Sequence, residues 1–266
     1  MSNPDFDEQA PAFDRRAGLP EFAAELIARM IARLGDMHAR DVLLEIGAGT
    51  GLIGAHLCGL PGRYVGFDTS AAMLEIFARK ARARGISATL MEADGRDRWP
   101  VDDRSVKTFF GSRVLHLLPV DHVMAEIFRA SGSTGSTLII GRVQRSPDGM
   151  RSRLRREMRE RVRNAGFHLA EGRDVDTQIF ASLRARGAGG IDPVVAAAWP
   201  VSDSAGEIIE SWATKKELAG VDLPAAAKSA ILRGLEAWSE ENFGSAGAIQ
   251  SSEEKYVLEG VRLPPD

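Results

Sequence analysis

The chain has 266 residues, 44% of them hydrophobic, which is enough for a sizeable core in one large domain or one domain with a lid. Its 34 lysines and arginines against 37 aspartates and glutamates give a net charge of −3, so the chain as a whole does not attract nucleic acid or an anionic membrane. One cysteine, no signal-peptide pattern and no apolar run near the roughly 20 residues of a membrane span favour a cytoplasmic protein without disulfides.

The first predicted element is helical and covers about residues 12–35. Pro20 is typical of a helix start and Gly35 of a helix end. One apolar face is predicted from the spacing of Phe22, Leu26, Ile27, Met30, Ile31 and Leu34.

The most informative segment, residues 42–51, reads VLLEIGAGTG. The apolar run predicts a strand buried on both faces of a parallel sheet. Gly47, Gly49 and Gly51 then allow a sharp turn and close approach to a ligand, before a helix whose free N–H groups face that ligand. The same residues contain a formal G-x-G-x-x-G, which alone is a weak dinucleotide signal. Glu45 argues against a pyrophosphate, because like charges repel, and favours a cationic group.

A second strand is predicted at residues 63–68, and its last residue is Asp68. In this position a carboxylate can accept both hydroxyls of a ribose, as it does in NAD enzymes. The alternative is a helix N-cap at Asp68, Thr69 or Ser70, because residues 71–84 have helical periodicity and Gly85 suits the end of a helix. Met73 on this helix is either a core residue or a cofactor contact.

The segments that follow continue an alternating strand and helix pattern to about residue 143. Residues 88–95 read as a third strand and an Asp94-Gly95 turn, residues 106–111 as a fourth strand, and residues 137–143 as a fifth. Asp94 is either a ligand-binding carboxylate or simply a turn former. His116 lies in the segment after the fourth strand, and its ordinary pKa suits proton transfer near neutral pH.

These motifs together resemble those of class I S-adenosylmethionine (SAM) dependent methyltransferases. The resemblance implies that Glu45 helps to hold the amino end of the cofactor's methionine, that Asp68 binds the ribose, and that Asp94 accepts from the adenine amine. It also implies a position for His116 near the transferred methyl group and a lid that includes Phe13, which is otherwise a plain anchoring residue. The predicted cofactor-binding residues are Glu45, Gly47, Ala48, Gly49, Gly51, Asp68, Thr69, Met73, Ala93, Asp94, Gly95, Ser112 and Arg113.

The sequence departs from the family pattern at three places. Lys107 replaces the usual Asp of strand four, and residues 130–135 replace the usual Leu-Lys-Pro-Gly-Gly turn. Both are framework positions. Arg113 replaces a smaller or neutral residue beside the cofactor, and this departure bears on the substrate side.

The second half indicates less about chemistry. Residues 150–164 predict a helix with seven arginines, which is either an anion-binding patch or a solvated amphipathic helix. Residues 174–186 predict a helix, residues 192–199 and 255–263 predict strands, and helices begin at Ser204 and Pro224. His168, Trp199 and Trp212 either line a substrate cap or pack elsewhere.

The resemblance implies an α/β fold with a Rossmann-like, mostly parallel seven-stranded sheet, an antiparallel last strand and helical caps. One domain is predicted, with a core of about 36–145, 172–201 and 252–264, caps of about 146–171 and 202–250, and an N-terminal lid helix of about 12–35. We expect methyl transfer from SAM to a small molecule, without a metal, nucleic acid or membrane partner. An NAD(P)-dependent oxidoreductase and a non-catalytic SAM-binding regulator stay open as alternatives, as does the oligomeric state.

Overall fold

The computed structural model describes Asp7, residues 10–169 and residues 175–265. These residues form two compact units. The first comprises the described residues within 1–143, 173–197 and 256–266, and the second comprises those within 144–172 and 198–255. The predicted cap insertions fall within the second unit, except at residues 170 and 171, which lie outside the described residues.

The first half of the chain alternates helices and strands as predicted. Its elements are α1 (Phe13–Ala17), α2 (Glu21–Leu34), β1 (Val42–Ile46), α3 (Gly54–Leu57), β2 (Arg63–Asp68), α4 (Ala71–Ala83), β3 (Thr89–Glu92), β4 (Thr108–Ser112), α5 (Val120–Ala130) and β5 (Ser136–Arg145).

The second half adds α6 (Met150–Asn164), α7 (Val175–Arg184), β6 (Gly189–Ser204), α8 (Ala205–Ala213), β7 (Glu217–Leu218), β8 (Val221–Asp222), α9 (Ala225–Phe243) and β9 (Ile249–Leu263). The short β7–β8 hairpin was not predicted. The helix predicted at residues 174–186 corresponds to α7, whose first described residue is Val175, because Asp174 lies outside the described residues.

Seven strands form one sheet in the order β3-β2-β1-β4-β5-β9-β6. The pairs β1–β2, β1–β4, β2–β3 and β4–β5 are parallel, and the last strands are antiparallel. This confirms the predicted Rossmann-like fold. The order reverses at β1, because the chain first builds towards β3 and then returns to the other side with β4. In open α/β sheets, ligands bind beyond the carboxyl ends of the strands at such a reversal.

One core cluster of the first unit packs against one face of this sheet. Strand residues such as Leu44, Ile46 and Phe109 are fully buried against apolar residues of α5 and α7, including Ile127 and Ile179. The continuous apolar character of β1 and β4 follows from burial on both faces of a parallel sheet.

The element predicted at about 12–35 divides into α1 and α2 at Gly18, whose φ of 64° leaves the right-handed helical region. Pro20 and Gly35 cap α2, as predicted, but the predicted buried face of this helix is wrong. In α2 the small residues Ala23, Ala24 and Ala28 pack inward together with Ile27 and Ile31. Phe22 and Leu26 are instead 51% and 47% exposed.

The second unit has its own apolar core, formed by α6, α8 and α9. Leu154, Met158 and Val162 supply the inward stripe of α6, as their spacing predicts. Trp212 packs in this core and Trp199 is also buried, whereas His168 is exposed. In the described parts of the chain, none of the helices combines the length and apolar character of a membrane span.

Candidate active site

The glycine turn after β1 has the backbone conformation that its sequence predicts. Gly47, Gly49 and Gly51 have φ values of 68°, 52° and 72°, in the left-handed region that side chains disfavour. A Cβ on Gly47 would lie 2.7 Å from Val114, and one on Gly51 would overlap the Phe77 ring. A Cβ on Gly49 would meet no atom closer than 4.0 Å. Two glycines therefore permit packing, while the third leaves an open surface to which a ligand can come close.

The predicted helix after this turn is short. It covers only Gly54–Leu57, so it contributes one turn of free N–H groups rather than a long dipole. Ala48 is buried, and its backbone N–H donates to the Phe67 carbonyl at 2.9 Å, which ties the turn to the end of β2.

Glu45 lies under the turn and is only 4% exposed. The Tyr64 hydroxyl donates a hydrogen bond to its carboxyl group. A Cβ on Gly54 would lie 2.5 Å from Glu45 Oε2, so the absence of a side chain there makes room for the carboxyl. Burial raises the pKa of Glu45 to about 8, and the Tyr64 hydrogen bond only partly offsets this. Without a bound cation, Glu45 is therefore mostly protonated at neutral pH.

Asp68 joins the end of β2 to the glycine turn. Its Oδ2 accepts from the Gly49 N–H at 2.9 Å, and its Oδ1 accepts from the Ser70 N–H at 3.0 Å. Burial raises the pKa of Asp68 above its ordinary value, and these backbone hydrogen bonds oppose that rise. The N-cap of α4 is Ser70, which accepts from the Met73 N–H at 3.2 Å. Each Asp68 oxygen retains a lone pair for a further donor, as a ribose contact requires.

Asp94 follows β3 at the same edge of the sheet, where the Ala93 N–H donates to the Asp68 carbonyl at 3.0 Å. Its carboxylate is occupied by Arg96, whose Nη2 lies 2.6 Å from Oδ2 and whose Nε lies 3.0 Å from Oδ1. These bonds lower the pKa of Asp94 to about 2. The Arg96 side chain is 64% exposed, so another donor can displace this ion pair at small cost.

Three of the remaining cofactor candidates lie beside this edge, and none contributes a polar side-chain contact among the described residues. Met73 is buried on the core face of α4, which agrees with its predicted alternative as a core residue. Thr69 is half-buried, and its backbone N–H helps to lower the pKa of Asp68. Gly95 contributes its carbonyl, which accepts from the Trp99 indole N–H at 3.0 Å.

The end of β4 carries Ser112 and Arg113. The Tyr256 hydroxyl donates to Ser112 Oγ at 2.6 Å. Arg113 has a φ of 57°, and its guanidinium carbon lies 5.6 Å from the centre of the Phe13 ring. His116 follows in an exposed 3₁₀ turn, and no hydrogen bond joins it to any residue that the structure describes.

The N-terminal segment contacts the glycine turn directly. The Thr50 hydroxyl, fully buried, donates to Asp14 Oδ1 at 2.5 Å, and Lys80 Nζ lies 2.5 Å from Asp14 Oδ2. The Ser70 hydroxyl donates to Asp7 Oδ1 at 2.5 Å. Together with the Phe13–Arg113 contact, these bonds hold the segment over the turns that follow β1 and β2.

Several of these residues were missed in the sequence. Both tyrosines of the chain, Tyr64 and Tyr256, donate to site residues on other strands. A tyrosine inside a predicted buried strand needs a partner for its hydroxyl, which was the available signal. Its partner could not be identified, because the pairs are 19 and 144 residues apart.

The arrangement fits the predicted cofactor. An open glycine turn, the Asp68 carboxylate and the Asp94 carboxylate lie at the carboxyl ends of β1, β2 and β3, which are neighbours in the sheet. Two carboxylates beside a glycine turn suit a ligand that has hydroxyl and amino groups and an extended portion that lies close to the backbone of the turn.

Comparison with known proteins agrees with this geometry. Residues 43–135 match the family model of a methyltransferase domain. A sequence search of curated proteins gives no match.

Solved structures with the same fold cover most of this chain. A candidate methyltransferase of Bacillus halodurans is 14% identical, with a TM-score of 0.55 over 89% of this chain and 98% of its own. The YcgJ protein of Bacillus subtilis is 16% identical, with a TM-score of 0.56 over 90% and 99%. The [4+2]-cyclase SpnF is 19% identical, with a TM-score of 0.52 over 91% and 81%. At these identities the likeness is one of fold.

The motif order, the sheet topology and the family match agree. They support SAM-dependent methyltransferase activity, carried by the methyltransferase domain that residues 43–135 match.

Proposed function

We propose that the enzyme methylates a small-molecule acceptor at an oxygen, nitrogen or carbon nucleophile, by in-line displacement. Bound SAM supplies an activated methyl group on its sulfonium, so the protein has mainly to align the acceptor with it. The observation that carries the proposal is the N-terminal segment over the site. Asp14 binds both Thr50 of the glycine turn and Lys80 of α4, so the N-terminal segment lies against the turn and restricts access to it, which favours a small acceptor over a polymer.

We propose roles for the cofactor-binding residues that follow their positions. The glycine turn with Ala48 accommodates the methionine moiety, Asp68 and Thr69 the ribose, and Ala93, Asp94 and Gly95 the adenine. Met73 supports this site from the core. Glu45, below the turn, interacts with the amino group of the cofactor's methionine moiety. The positive charge of that amino group would favour the ionised form of Glu45.

His116 is proposed as the general base for acceptors that must lose a proton. It follows the end of β4, where the chain leaves the sheet at its carboxyl edge. Its exposed ring is free of hydrogen bonds to the described residues, so it is available to a bound acceptor.

The test is a screen of small-molecule acceptors with methyl-labelled SAM, run beside a purified RNA pool and analysed by product size. We expect label in low-molecular-mass products. Label that enters only RNA or protein would contradict the proposal. Boiled enzyme and the Asp68→Ala variant are the controls for transfer that does not depend on the site.

A further inference from the structure

Arg113 is held at the end of β4 without an ionic partner. Its left-handed backbone conformation, with φ of 57°, is one that residues other than glycine rarely adopt. The guanidinium faces the Phe13 ring at 5.6 Å, and no carboxylate among the described residues pairs with it. Arg129, in the same unit, shows the contrast, because it binds Glu126 at 2.6 Å and Asp103 at 2.7 Å.

Ser112, the preceding residue, offers a second donor. The Tyr256 hydroxyl donates to its Oγ at 2.6 Å, so the Ser112 hydroxyl hydrogen is left for another acceptor. Tyr256 is only 2% exposed. Gly141 on β5 makes room for it, since a Cβ there would lie 2.8 Å from Tyr256 Cζ. Burial also raises the pKa of Tyr256 well above its ordinary value, which keeps it protonated as a donor.

Arg113 and Ser112 together present hydrogen-bond donors and a positive charge, and no ionised acceptor among the described residues lies beside them. Glu45 is close enough to act electrostatically on Tyr256, but in the ligand-free chain burial keeps Glu45 mostly protonated at neutral pH. Arg113 lowers the pKa of Tyr256, which places its charge near the same hydroxyl pair. A guanidinium beside a hydroxyl donor is suited to a carboxylate or a similar planar anion.

The sheet order indicates which ligand supplies that anion. Asp68 and Asp94 follow β2 and β3, on one side of β1, whereas Ser112 and Arg113 follow β4, on the other side. The first side is the one proposed for the adenosyl group, which leaves the second to the acceptor. Resting on the proposed function, we propose that the methyl acceptor carries a carboxylate, or a comparable anion, bound by Arg113 and Ser112, with Tyr256 as the positioning residue for Ser112.

The test uses a fragment panel of carboxylic acids, each paired with its primary amide. Binding is measured by ligand-observed NMR on the full chain, with and without S-adenosylhomocysteine (SAH). We expect acids to bind at least tenfold more tightly than their amides. Arg113→Met should abolish the preference, and the control Arg82→Met, an exposed arginine of α4, should keep it.

The role of Tyr256 is tested by asking whether substitutions at Tyr256 and Ser112 have additive effects on binding. Tyr256→Phe and Ser112→Ala should each weaken acid binding severalfold, leave amide binding unchanged, and show no additional loss when combined. Ser112→Thr, which keeps the hydroxyl, should rescue acid binding. A structural role alone would change acids and amides equally, and that result would contradict the positioning role.

Three results would overturn the anion site: no acid binds, amides bind as well as acids, or the preference survives in Arg113→Met. A fourth concerns the cofactor's own carboxylate. If Arg113→Met weakens SAH but not its decarboxylated analogue, the guanidinium pairs with the cofactor and the proposal fails. Failure of the wild-type chain to bind SAH would instead count against the proposed function, because the acid preference is also measured without it.

Discussion

Tyr64 and Glu45 form a buried hydrogen bond between neighbouring strands. Glu45 is opposite Gly66 in the β1–β2 register, and Tyr64 is opposite Leu43, so the two side chains are diagonal neighbours on one face. Gly66 allows their approach, since a Cβ there would lie 2.5 Å from the Tyr64 hydroxyl. The motif's acid is therefore neutral and bonded before ligand arrives.

This burial predicts a pH-dependent stability. The pKa of Glu45 is about 8 in the folded chain against an ordinary value of 4.5. The folded state thus holds a proton that the unfolded state has lost between these values, so the free energy of unfolding falls as pH rises, by about 1.4 kcal/mol per unit. Below pH 4.5 both states are protonated, and above pH 8 both are ionised.

Glu45→Gln should remove this slope and stabilise the ligand-free chain at pH 8 relative to the wild type. Urea unfolding at pH 5, 6.5 and 8 measures the free energy of unfolding of both chains and hence its slope with pH. Glu92→Gln, an exposed position on β3, is the matched control and should behave like the wild type. A wild-type slope that persists in Glu45→Gln would show that another group titrates.

Asp68→Ala should weaken SAH binding by about 1.5–3 kcal/mol, the scale of a hydrogen bond to a charged group. Asp68→Asn should lose less, because its amide oxygen can still accept from Gly49 or Ser70. Calorimetry measures both variants beside Asp102→Ala, an exposed carboxylate of the loop before β4. Unchanged affinity with a lowered melting temperature would mean that Asp68 only ties β2 to the turn.

The N-terminal segment should become more protected when cofactor binds. Asp14 links it to Thr50 and Lys80, so trypsin should cut at Arg15 and Arg16 more slowly in the presence of SAH. Asp14→Ala should speed this cleavage in the ligand-free chain. Cleavage in α6 serves as the internal reference. Equal rates at Arg15 and Arg16 with and without SAH would argue against a lid.

RNA binding should be negligible despite the seven arginines of α6. Arg151 pairs with Asp203 at 2.8 Å, Arg161 with Glu157 at 2.8 Å, and Arg153 lies 4.6 Å from the centre of the Phe243 ring. Arg155, Arg156 and Arg163 are exposed, but no aromatic residue lies between them in the helix to stack bases.

Filter binding at two salt concentrations tests this prediction. Submicromolar RNA affinity that falls steeply with salt, and that is lost when Arg155, Arg156 and Arg163 become Ala, would contradict it. Replacing Arg79, Arg82 and Arg104 instead removes the same charge elsewhere and is the control.

His116→Ala should slow transfer to a hydroxyl acceptor by roughly 10²–10⁴-fold, the usual contribution of a general base, while SAM affinity changes little. His38→Ala, an exposed histidine before β1, should have no effect. A rate within threefold of the wild type would remove His116 from the chemistry.

Local sequence signals predicted much of this fold. The apolar run of β1, the bounds of β2 and the bounds of α6 depend on neighbours within a few residues, and each was predicted to the residue. Pro20 and Gly35 were predicted as the ends of a helix and they cap α2, whereas the break at Gly18 between α1 and α2 was not predicted. The buried face of α2 was misplaced, because small alanines rather than Phe22 and Leu26 allow close packing.

The site was harder to predict than the fold. Glycine spacing and strand-end acids located its edge, because carboxyl ends of parallel strands meet there. The Asp94–Arg96 ion pair and the Ser112–Tyr256 bond depend on side-chain geometry that no local pattern encodes.

The most direct measurement is calorimetric titration of the wild-type chain with SAM, SAH and NADH. The glycine turn, Asp68 and the neighbouring strand ends predict binding of SAM and SAH, and no binding of NADH. Tight binding of NADH without binding of SAM would contradict the assignment to the methyltransferases.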